Sequence, residues 1–355
     1  MWYRRDIIKR FRSSLKDESD VHSRLMQAYP EVPHWWYALL GMVMVIFLFI
    51  TVEVYPTELP VWGVCVALLL SGLLAIPTGM IQAITNQQIA LNVMYEFLAG
   101  YLLPGKPVAV MLFKSIAFTG TNQSVGFCGD LKLGHYMKIP PRIMFFAQVI
   151  SAFVVAVTVT LVQEWMFANV VDICQPHQPH SFTCPSTTVF ATASLLWGGV
   201  GPQRIFSVGA RYNSFLWFFF LGAVLPIPFY YLARRFPLSY WRYINIPVFF
   251  GGLSAMPPAS GINYSSWLLV GFFFQWFMRR YHFRWWTRYN YILAAGLDAG
   301  VALSLFFIFL TLQLPKGGSI TLNWWGNTAW QNTADVLGTP YRMMPPGQTF
   351  GPSTW

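Results

Sequence analysis

The fold is decided by the apolar segment at residues 34–54, HWWYALLGMVMVIFLFITVEV. Trp35, Trp36 and Tyr37 open it as an aromatic belt typical of a membrane interface, and the apolar residues after them are numerous enough to cross a bilayer. Four further continuous apolar runs cover residues 60–84, 143–167, 215–232 and 291–314. We therefore expect five continuous transmembrane helices.

Shorter apolar segments between these runs are interrupted by Gly, Pro or polar residues. They cover residues 89–103, 108–127, 187–200, 246–259 and 267–278. Broken segments are tolerated at membrane depth where they line a cavity or are buried in protein, and in transporters they often form the substrate site. We therefore predict an all-α polytopic transmembrane bundle with about eight to ten membrane segments, several of them short or re-entrant.

The polar parts of the chain predict its organisation. Residues 1–33 are polar and basic without an apolar signal region, so we expect a cytoplasmic N-terminal segment. Residues 34–314 are expected to form the transmembrane domain, and residues 315–355 a polar C-terminal tail. The chain would therefore be a multi-pass integral membrane protein, and we expect it in the plasma membrane.

The composition excludes an ordinary soluble enzyme. The 355 residues are 55% hydrophobic and only 10% charged, whereas soluble domains are about 25% charged. The patterns G-x-S-x-G, H-E-x-x-H and the phosphate-binding loop are absent, so we predict a protein that is not an enzyme. We also predict no metal or other cofactor.

The net charge of +10 does not indicate a nucleic-acid partner, because the basic residues cluster at the ends of apolar runs. Such clusters include Arg234 with Arg235 and the arginines between residues 279 and 288. This distribution is typical of cytoplasmic loops. We expect a further basic cytoplasmic loop that contains Lys132, His135, Lys138 and Arg142.

Cys174 and Cys184 share one polar loop. They could form a disulfide bond if that loop lies in an oxidising compartment. The alternative is a pair of free thiols.

Ionisable residues within apolar segments are candidates for function, because they are costly to bury in a membrane. Asn92 and Glu96 share one helical face, and Lys114 in the next segment could pair with Glu96. Two interpretations remain open: a proton-carrying or amine-binding carboxylate in a polar cavity, or a buried ion pair that fixes helix packing. Asp298 in the last run is either a proton site or a hydrogen-bonding partner for a neighbouring helix.

Amide side chains form a second group of candidates. Asn86, Gln87 and Gln88 end the second run, and Asn122 lies in a weakly apolar stretch. Amides offer both donors and acceptors for peptide-like groups. The alternative is a polar helix end that faces water.

Several strings resemble the oligopeptide transporter family. The most specific is DLKLGHYMKIPPR at residues 130–142. Further similar strings are TNQQIALNV at 85–93, EFLAGYLLPGKP at 96–107, WGGVGPQRIF at 197–206, MPPA at 256–259 and NWWGN at 323–327.

The resemblance implies a proton-coupled symporter of small oligopeptides, from tripeptides to pentapeptides and including glutathione-like ones, with the proton gradient as driving force. With the broken segments, it predicts a substrate site lined by Asn86, Gln87, Gln88, Asn92, Glu96, Lys114 and Asn122. Glu96 and Asp298 are the predicted proton-coupling residues. The motif Lys138, Ile139, Pro140, Pro141 and Arg142 is expected to be a rigid cytoplasmic connector that serves gating or folding.

Two alternatives to peptide transport stay open within the resemblance. A sister branch of the family moves metal–phytosiderophore chelates. Family members are also longer than this chain, which resembles their C-terminal half, and no Asn-Pro-Gly motif of the N-terminal half occurs. We therefore expect either assembly with a missing N-terminal half or an inactive membrane fragment.

Overall fold

The structure of the protein, a computed structural model, describes residues 21–175, 184–210, 212–253, 261–313, 315, 320 and 322–332. These residues form helices and turns, with no strand among them, which confirms the all-α prediction. The string at 256–259, residues 1–20 and most of the tail lie outside the described residues. The chain divides into two compact units, Met1–Leu253 and Ser254–Trp355.

The first unit contains eleven described helices. In chain order they are α1 Val21–Met26, α2 His34–Val54, α3 Val61–Thr85, α4 Asn92–Leu102, α5 Pro107–Met137, α6 Pro141–Asn169, α7 Pro185–Ser194, α8 Pro202–Phe206, α9 Trp217–Val224, α10 Pro226–Arg235 and α11 Ile246–Leu253. A π-helical turn at Leu195–Val200 follows α7, and 3₁₀ turns lie at Asn213–Leu216 and Tyr240–Tyr243.

The second unit begins with α12, Gly261–Gly271, which continues through a π-helical stretch at Phe272–Met278 into α13, Arg279–Tyr281. A long helix follows as α14, Phe283–Ile308, with a π-helical end at Phe309–Gln313. The described part of the tail contains α15, Trp325–Thr328, and a 3₁₀ turn at Ala329–Asn332.

Five helical segments among the described residues are long and apolar enough to cross a membrane. They are His34–Val54, Val61–Thr85, Pro141–Asn169, Asn213–Arg235 and Phe283–Leu312. Each overlaps one of the five continuous runs predicted from the sequence. A helix satisfies its own backbone hydrogen bonds, which is why such runs take this form in a bilayer. The total of eight to ten segments stays a prediction.

The core of the first unit lies between α3, α4 and α5. Val64, Ala67, Tyr95, Phe113 and Ala117 are fully buried there. Because these side chains come from three helices of different length, the core fixes how the short α4 lies against its two longer neighbours.

α3 and α5 run in the same direction at close range. A Cβ atom added to Gly120 would collide with Ser71 Oγ, and one added to Gly79 would lie 3.8 Å from Val125 Cγ2. Ser71 thus lies beside Gly120, and Gly79, later in α3, lies beside Val125, later in α5. This order of contacts shows that the two helices are parallel. Since the chain must return between two parallel helices, the segment that connects them crosses back in the opposite direction.

α5 is longer than the sequence predicted. Lys132 and His135, expected in a loop, lie within this helix, and Arg142 of the same predicted loop lies in the first turn of α6. The loop prediction was therefore wrong for these three residues and holds only for Lys138. The reason is that helical hydrogen bonds persist through polar residues, whose helix propensities are adequate outside an apolar environment. The helix ends at Lys138, whose φ of 62° is left-handed, and α6 begins at Pro141.

Candidate functional site

The return segment between α3 and α5 is an interrupted helix, which we call the broken crossing because the sequence predicts it at membrane depth. Residues 87–91 are not helical, and α4 has only 11 residues. A helix of that size is about 16 Å long, roughly half the thickness of a bilayer core. Residues 87–91, called the extended stretch below, form no helical turn, and α4 is a half-length helix. The sequence predicted such an interrupted segment.

The extended stretch leaves backbone donors unused. The N–H of Gln87 donates to Thr85 Oγ1 over 3.2 Å. The N–H groups of Gln88, Ile89 and Ala90 find no acceptor among the described residues. Because unpaired backbone groups are costly to keep away from water, this stretch faces water or a ligand.

Glu96 and Lys114 form a buried ion pair between α4 and α5. Lys114 Nζ lies 3.1 Å from Glu96 Oε1, with the side chains 13% and 4% exposed. Asn92 Nδ2 donates to the same oxygen over 3.3 Å, and Lys114 Nζ lies 5.0 Å from the ring centroid of Phe190. Both contacts are made to Oε1, and no described residue other than Lys114 can donate to Oε2, so this oxygen is available for a proton or a substrate donor.

The predicted amide residues take different places. Gln88 Nε2 donates to Asn122 Oδ1 over 3.2 Å, which joins the extended stretch to α5. Asn86 has a left-handed backbone, φ 56°, and its N–H caps α3 at Gln82 O over 2.8 Å, so it ends the helix, a position that asparagine favours. The side chain of Gln87 is exposed and makes no hydrogen bond to another described residue.

A buried chain of hydroxyl groups lies beside these residues, and it was not predicted from the sequence. Tyr95 Oη and Thr121 Oγ1 lie 2.6 Å apart, and Thr121 Oγ1 also donates to Ala117 O over 2.9 Å. Ser71 Oγ is 3.5 Å from Thr121 Oγ1. Isolated Ser, Thr and Tyr residues carry no pattern in a sequence, so their convergence from three helices became visible only in the fold.

The WGGVGPQRIF string packs against the far end of α4. A Cβ atom on Gly100 would lie 2.5 Å from Pro202 Cδ and 2.7 Å from Trp197 O, and one on Gly198 would collide with Pro107 Cα. Trp197 stacks on Phe206 with ring centroids 6.0 Å apart. Two strings that are distant in the sequence thus form one contact, which fixes the position of the half-length helix.

The Lys138–Arg142 motif connects α5 to α6 and contacts the N-terminal segment. Lys138 Nζ lies 2.8 Å from His22 Nδ1, which must be the acceptor because an ammonium group can only donate. Arg142 Nε donates to Glu31 O over 3.3 Å, and its guanidinium lies 5.9 Å from the ring centroid of Trp36. The motif therefore lies away from the Glu96–Lys114 pair.

The remaining candidates lie elsewhere. Asp298 is exposed on α14 in the second unit, where the helix buries none of its residues within the described part of the chain. Cys174 and Cys184 are joined by a disulfide bond, with Cα atoms 4.7 Å apart. Cys65 and Cys128 are free and exposed.

The polar residues form two groups along α4 and α5, which together make the candidate site: the buried cluster of Glu96, Lys114 and Asn92, and the more exposed pair of Gln88 and Asn122. The site offers unpaired backbone donors, amide side chains, a carboxylate with one available oxygen and a lysine. Together these groups can bind the amide, amine and carboxylate groups of a small polar molecule. A helical membrane protein with such a site on a broken crossing has the features of the transporter class.

Comparison with known proteins identifies the family. Residues 1–312 match the family model described as OPT oligopeptide transporter protein. The chain therefore belongs to the oligopeptide transporter family, whose members are transporters rather than enzymes, and it is an integral membrane protein. No solved structure matches it.

Three relatives show how much of the family this chain covers. It is 45% identical to glutathione transporter 1 of Schizosaccharomyces pombe, over 99% of this chain and 41% of the relative. It is 42% identical to oligopeptide transporter 3 of Arabidopsis thaliana, over 91% and 44%. It is 35% identical to oligopeptide transporter 1 of Saccharomyces cerevisiae, over 100% and 44%. The chain thus spans less than half the length of these relatives.

Proposed function

We propose that this chain forms the substrate site of a transporter that moves small oligopeptides, including glutathione-like ones, across the plasma membrane. The relatives carry the names glutathione transporter and oligopeptide transporter. These names favour peptides over the metal chelates of the sister branch. The observation that carries the proposal is the broken crossing, because its unpaired N–H groups suit the carbonyl groups of a peptide.

The charged groups of the site match the ends of a peptide. Glu96 Oε2 accepts a proton or the substrate amine, and Lys114 balances the carboxylate or meets the substrate's C-terminal carboxylate. Gln88, Asn92 and Asn122 supply amide contacts to the peptide backbone, and Gln87 reaches the substrate from the same stretch. Asn86 contributes by ending α3 where the extended stretch begins.

Transport is driven by the proton gradient, with Glu96 as the coupling residue of the first unit. Protonation of Glu96 weakens its attraction for Lys114 and so changes the site between a paired and an unpaired state. Asp298 is the second candidate for proton coupling, since an ionisable residue within a span is a functional candidate. No cofactor takes part.

We further propose that transport requires additional polypeptide, which would be an N-terminal half. The chain spans less than half of its relatives. Of an apolar 18-residue stretch in each of the five long helices, 22% is buried in Val61–Thr85, 6% in His34–Val54 and in Pro141–Asn169, and none in the other two. Such bare apolar faces contact lipid or the rest of a transporter.

Uptake of a labelled tetrapeptide into cells tests the proposal. Cells would express this chain alone or with an N-terminal half from a relative, with and without a protonophore. We expect uptake when both parts are present and its loss with the protonophore or with Glu96→Gln. Glu164→Gln is the matched control, because Glu164 is an exposed acid near the end of α6.

Three results would count against the proposal. Absence of uptake with both parts present would contradict the proposal that this chain takes part in transport. Uptake that persists with the protonophore would contradict the proposed coupling to the proton gradient. Uptake of a ferric chelate in place of the peptide would move the protein to the chelate-transporting branch.

A further inference from the structure

Four arginines surround the break between α13 and α14 in the second unit. Arg279 and Arg280 lie in α13, and Arg284 and Arg288 lie in the first turns of α14. The helix is interrupted at His282, with φ −128° and ψ 48°. The break therefore brings cationic side chains from two helical segments to one place.

No acidic residue balances this charge. From residue 173 to residue 297 the sequence contains nine arginines and no lysine, aspartate or glutamate. Among the described residues, no carboxylate lies within 4.0 Å of the four guanidinium groups. A concentrated positive charge of this kind attracts an anion from outside the chain.

Aromatic rings hold three of the four guanidinium groups. Their carbon atoms lie 5.2 Å from the ring centroid of Trp286 for Arg279, 5.7 Å from Trp276 for Arg280 and 5.3 Å from Tyr289 for Arg288. A guanidinium group at this distance interacts with the face of the ring, and its N–H groups can still donate to a ligand. The arginines are thus partly ordered before any anion binds, which lowers the entropic cost of binding.

A surface cavity of about 510 Å³ lies at the same place. Arg284, Arg288 and His282 line it together with four aromatic side chains. Its volume falls within the range of small-molecule sites. Two arginine forks that face one cavity suit a phosphate group, which accepts paired N–H donors.

We propose that this cavity, the Arg284–Arg288 site, binds the phosphorylated headgroup of an anionic phospholipid. The site lies at the start of the membrane-length segment Phe283–Leu312, where a headgroup is found. Trp and Tyr residues among the arginines are typical of that depth. Clusters of basic residues at a cytoplasmic span end bind anionic lipids.

The lipid, and not free phosphate, is the favoured source because the cavity continues into an apolar helix surface. Tyr291 and Ile292, two and three residues after the last cavity residue, Tyr289, are 64% and 67% exposed. An acyl chain can lie along this surface while the headgroup occupies the cavity. Inorganic phosphate has no group to fill that position.

The test uses the detergent-purified full chain and dioctanoyl phosphatidylinositol 4-phosphate, with binding measured by thermophoresis. We expect R284Q/R288Q to bind roughly 30-fold more weakly, since each basic residue near an anionic surface contributes a factor of about five. R234Q/R235Q removes the same charge from another span end, where Arg234 lies 5.6 Å over Tyr230. This control should bind like the parent chain.

Three outcomes would overturn the proposal. Equal weakening in both arginine pairs would show a general effect of charge. Equal binding of dioctanoyl phosphatidylcholine would show apolar adsorption alone. Displacement of the lipid by inorganic phosphate at comparable concentration would assign the cavity to free phosphate.

Two further measurements separate loss of binding from loss of folding. Circular dichroism and gel filtration check every variant. If R284Q/R288Q does not fold, R284K/R288K retains the charge without the paired N–H donors and should bind less tightly than the parent. Parent-like binding by that variant would overturn the proposed recognition of phosphate by arginine forks.

Discussion

Glu96 is a single carboxylate with two possible uses. Its Oε1 receives both Lys114 and Asn92, while its Oε2 has no described donor other than Lys114. The first contact fits a residue that fixes helix packing, and the second fits a residue that binds a proton or a substrate. The two uses can be separated because packing depends on charge balance, whereas proton and substrate binding depends on the carboxylate itself.

We predict that Glu96→Gln and Lys114→Met each destabilise the protein by about 3–5 kcal/mol, because each leaves one buried charge without its partner. The double variant E96Q/K114M should regain most of this stability, since no buried charge remains. It should not regain peptide uptake, because the carboxylate is absent. Thermal unfolding in detergent and the uptake assay measure the two effects.

The unfolding and uptake measurements also test the alternative that the Glu96–Lys114 pair only stabilises helix packing. If E96Q/K114M recovers uptake along with stability, the ion pair serves packing alone. Glu164→Gln again serves as the control for the loss of an exposed acid.

At the scale of elements, α4 is held by close contact and not by its own length. With 11 residues it makes few hydrogen bonds, and its position depends on the approach of Gly100 to Pro202 and Trp197. A side chain at residue 100 would push the half-length helix away from the WGGVGPQRIF string. The same helix carries Asn92, Tyr95 and Glu96, so a displacement would reach the polar site.

We predict that Gly100→Ala destabilises the protein by about 1–3 kcal/mol through overpacking and reduces uptake as well. Gly72→Ala is the matched control, because a Cβ atom at Gly72 in the interior of α3 has no neighbour within 4 Å. That substitution should be neutral or slightly stabilising, as Ala is the better helix former. Equal unfolding temperatures for the two variants would contradict the close contact.

The Lys138–Arg142 motif acts at the same scale as a short junction. Lys138 ends α5 in a left-handed conformation, and Pro140 and Pro141 restrict the backbone where α6 begins. His22 contacts Lys138 and packs edge-on against Tyr136 with ring centroids 5.0 Å apart. The junction thereby holds α1 of the N-terminal segment.

We predict that His22→Ala releases α1 and speeds tryptic cleavage after Arg24, which lies in this helix. The reason is that a protease cuts the opened form of a segment, whose population rises when its contacts are removed. Gln27→Ala, an exposed position just beyond α1, should leave the cleavage rate unchanged. Gel electrophoresis of timed digests gives the cleavage rates. An unchanged rate in the His22 variant would contradict the proposal that the junction holds α1.

At the scale of the whole molecule, the two ends of α6 predict opposite sides of the membrane. α6 has 29 residues and is therefore about 44 Å long, enough to cross the bilayer. Its first residue, Pro141, belongs to the basic junction, which we expect in the cytoplasm, and the Cys174–Cys184 disulfide bond follows its last turn. The disulfide bond would then lie on the external, oxidising side.

We predict that in the variant C65S/C128S, in intact cells, the two remaining cysteines react with a membrane-impermeant maleimide only after an impermeant reductant is added. Labelling would be followed by a gel shift. Labelling without reductant would indicate free thiols. Labelling that requires permeabilised cells would place the loop inside.

The five long helices and the polar candidates within broken segments could be predicted from the sequence alone. Hydropathy over some twenty residues is a local property, so continuous runs such as His34–Val54 predict their own structure. The pairing of Glu96 with Lys114 was also within reach, because few charges occur in the apolar segments and opposite charges must meet to be buried. The family strings likewise identified the family without any coordinates.

Which residues share the site depends on how the helices pack, and it could not be predicted from the sequence. Tyr95, Thr121 and Ser71 come from three helices, and Gly100 meets a string about a hundred residues later. Such contacts depend on the direction and distance of whole helices, which no local pattern encodes. The structure also assigned Asn86 to a helix cap and extended α5 to Met137, because hydrogen bonding along a helix continues after hydrophobicity has ended.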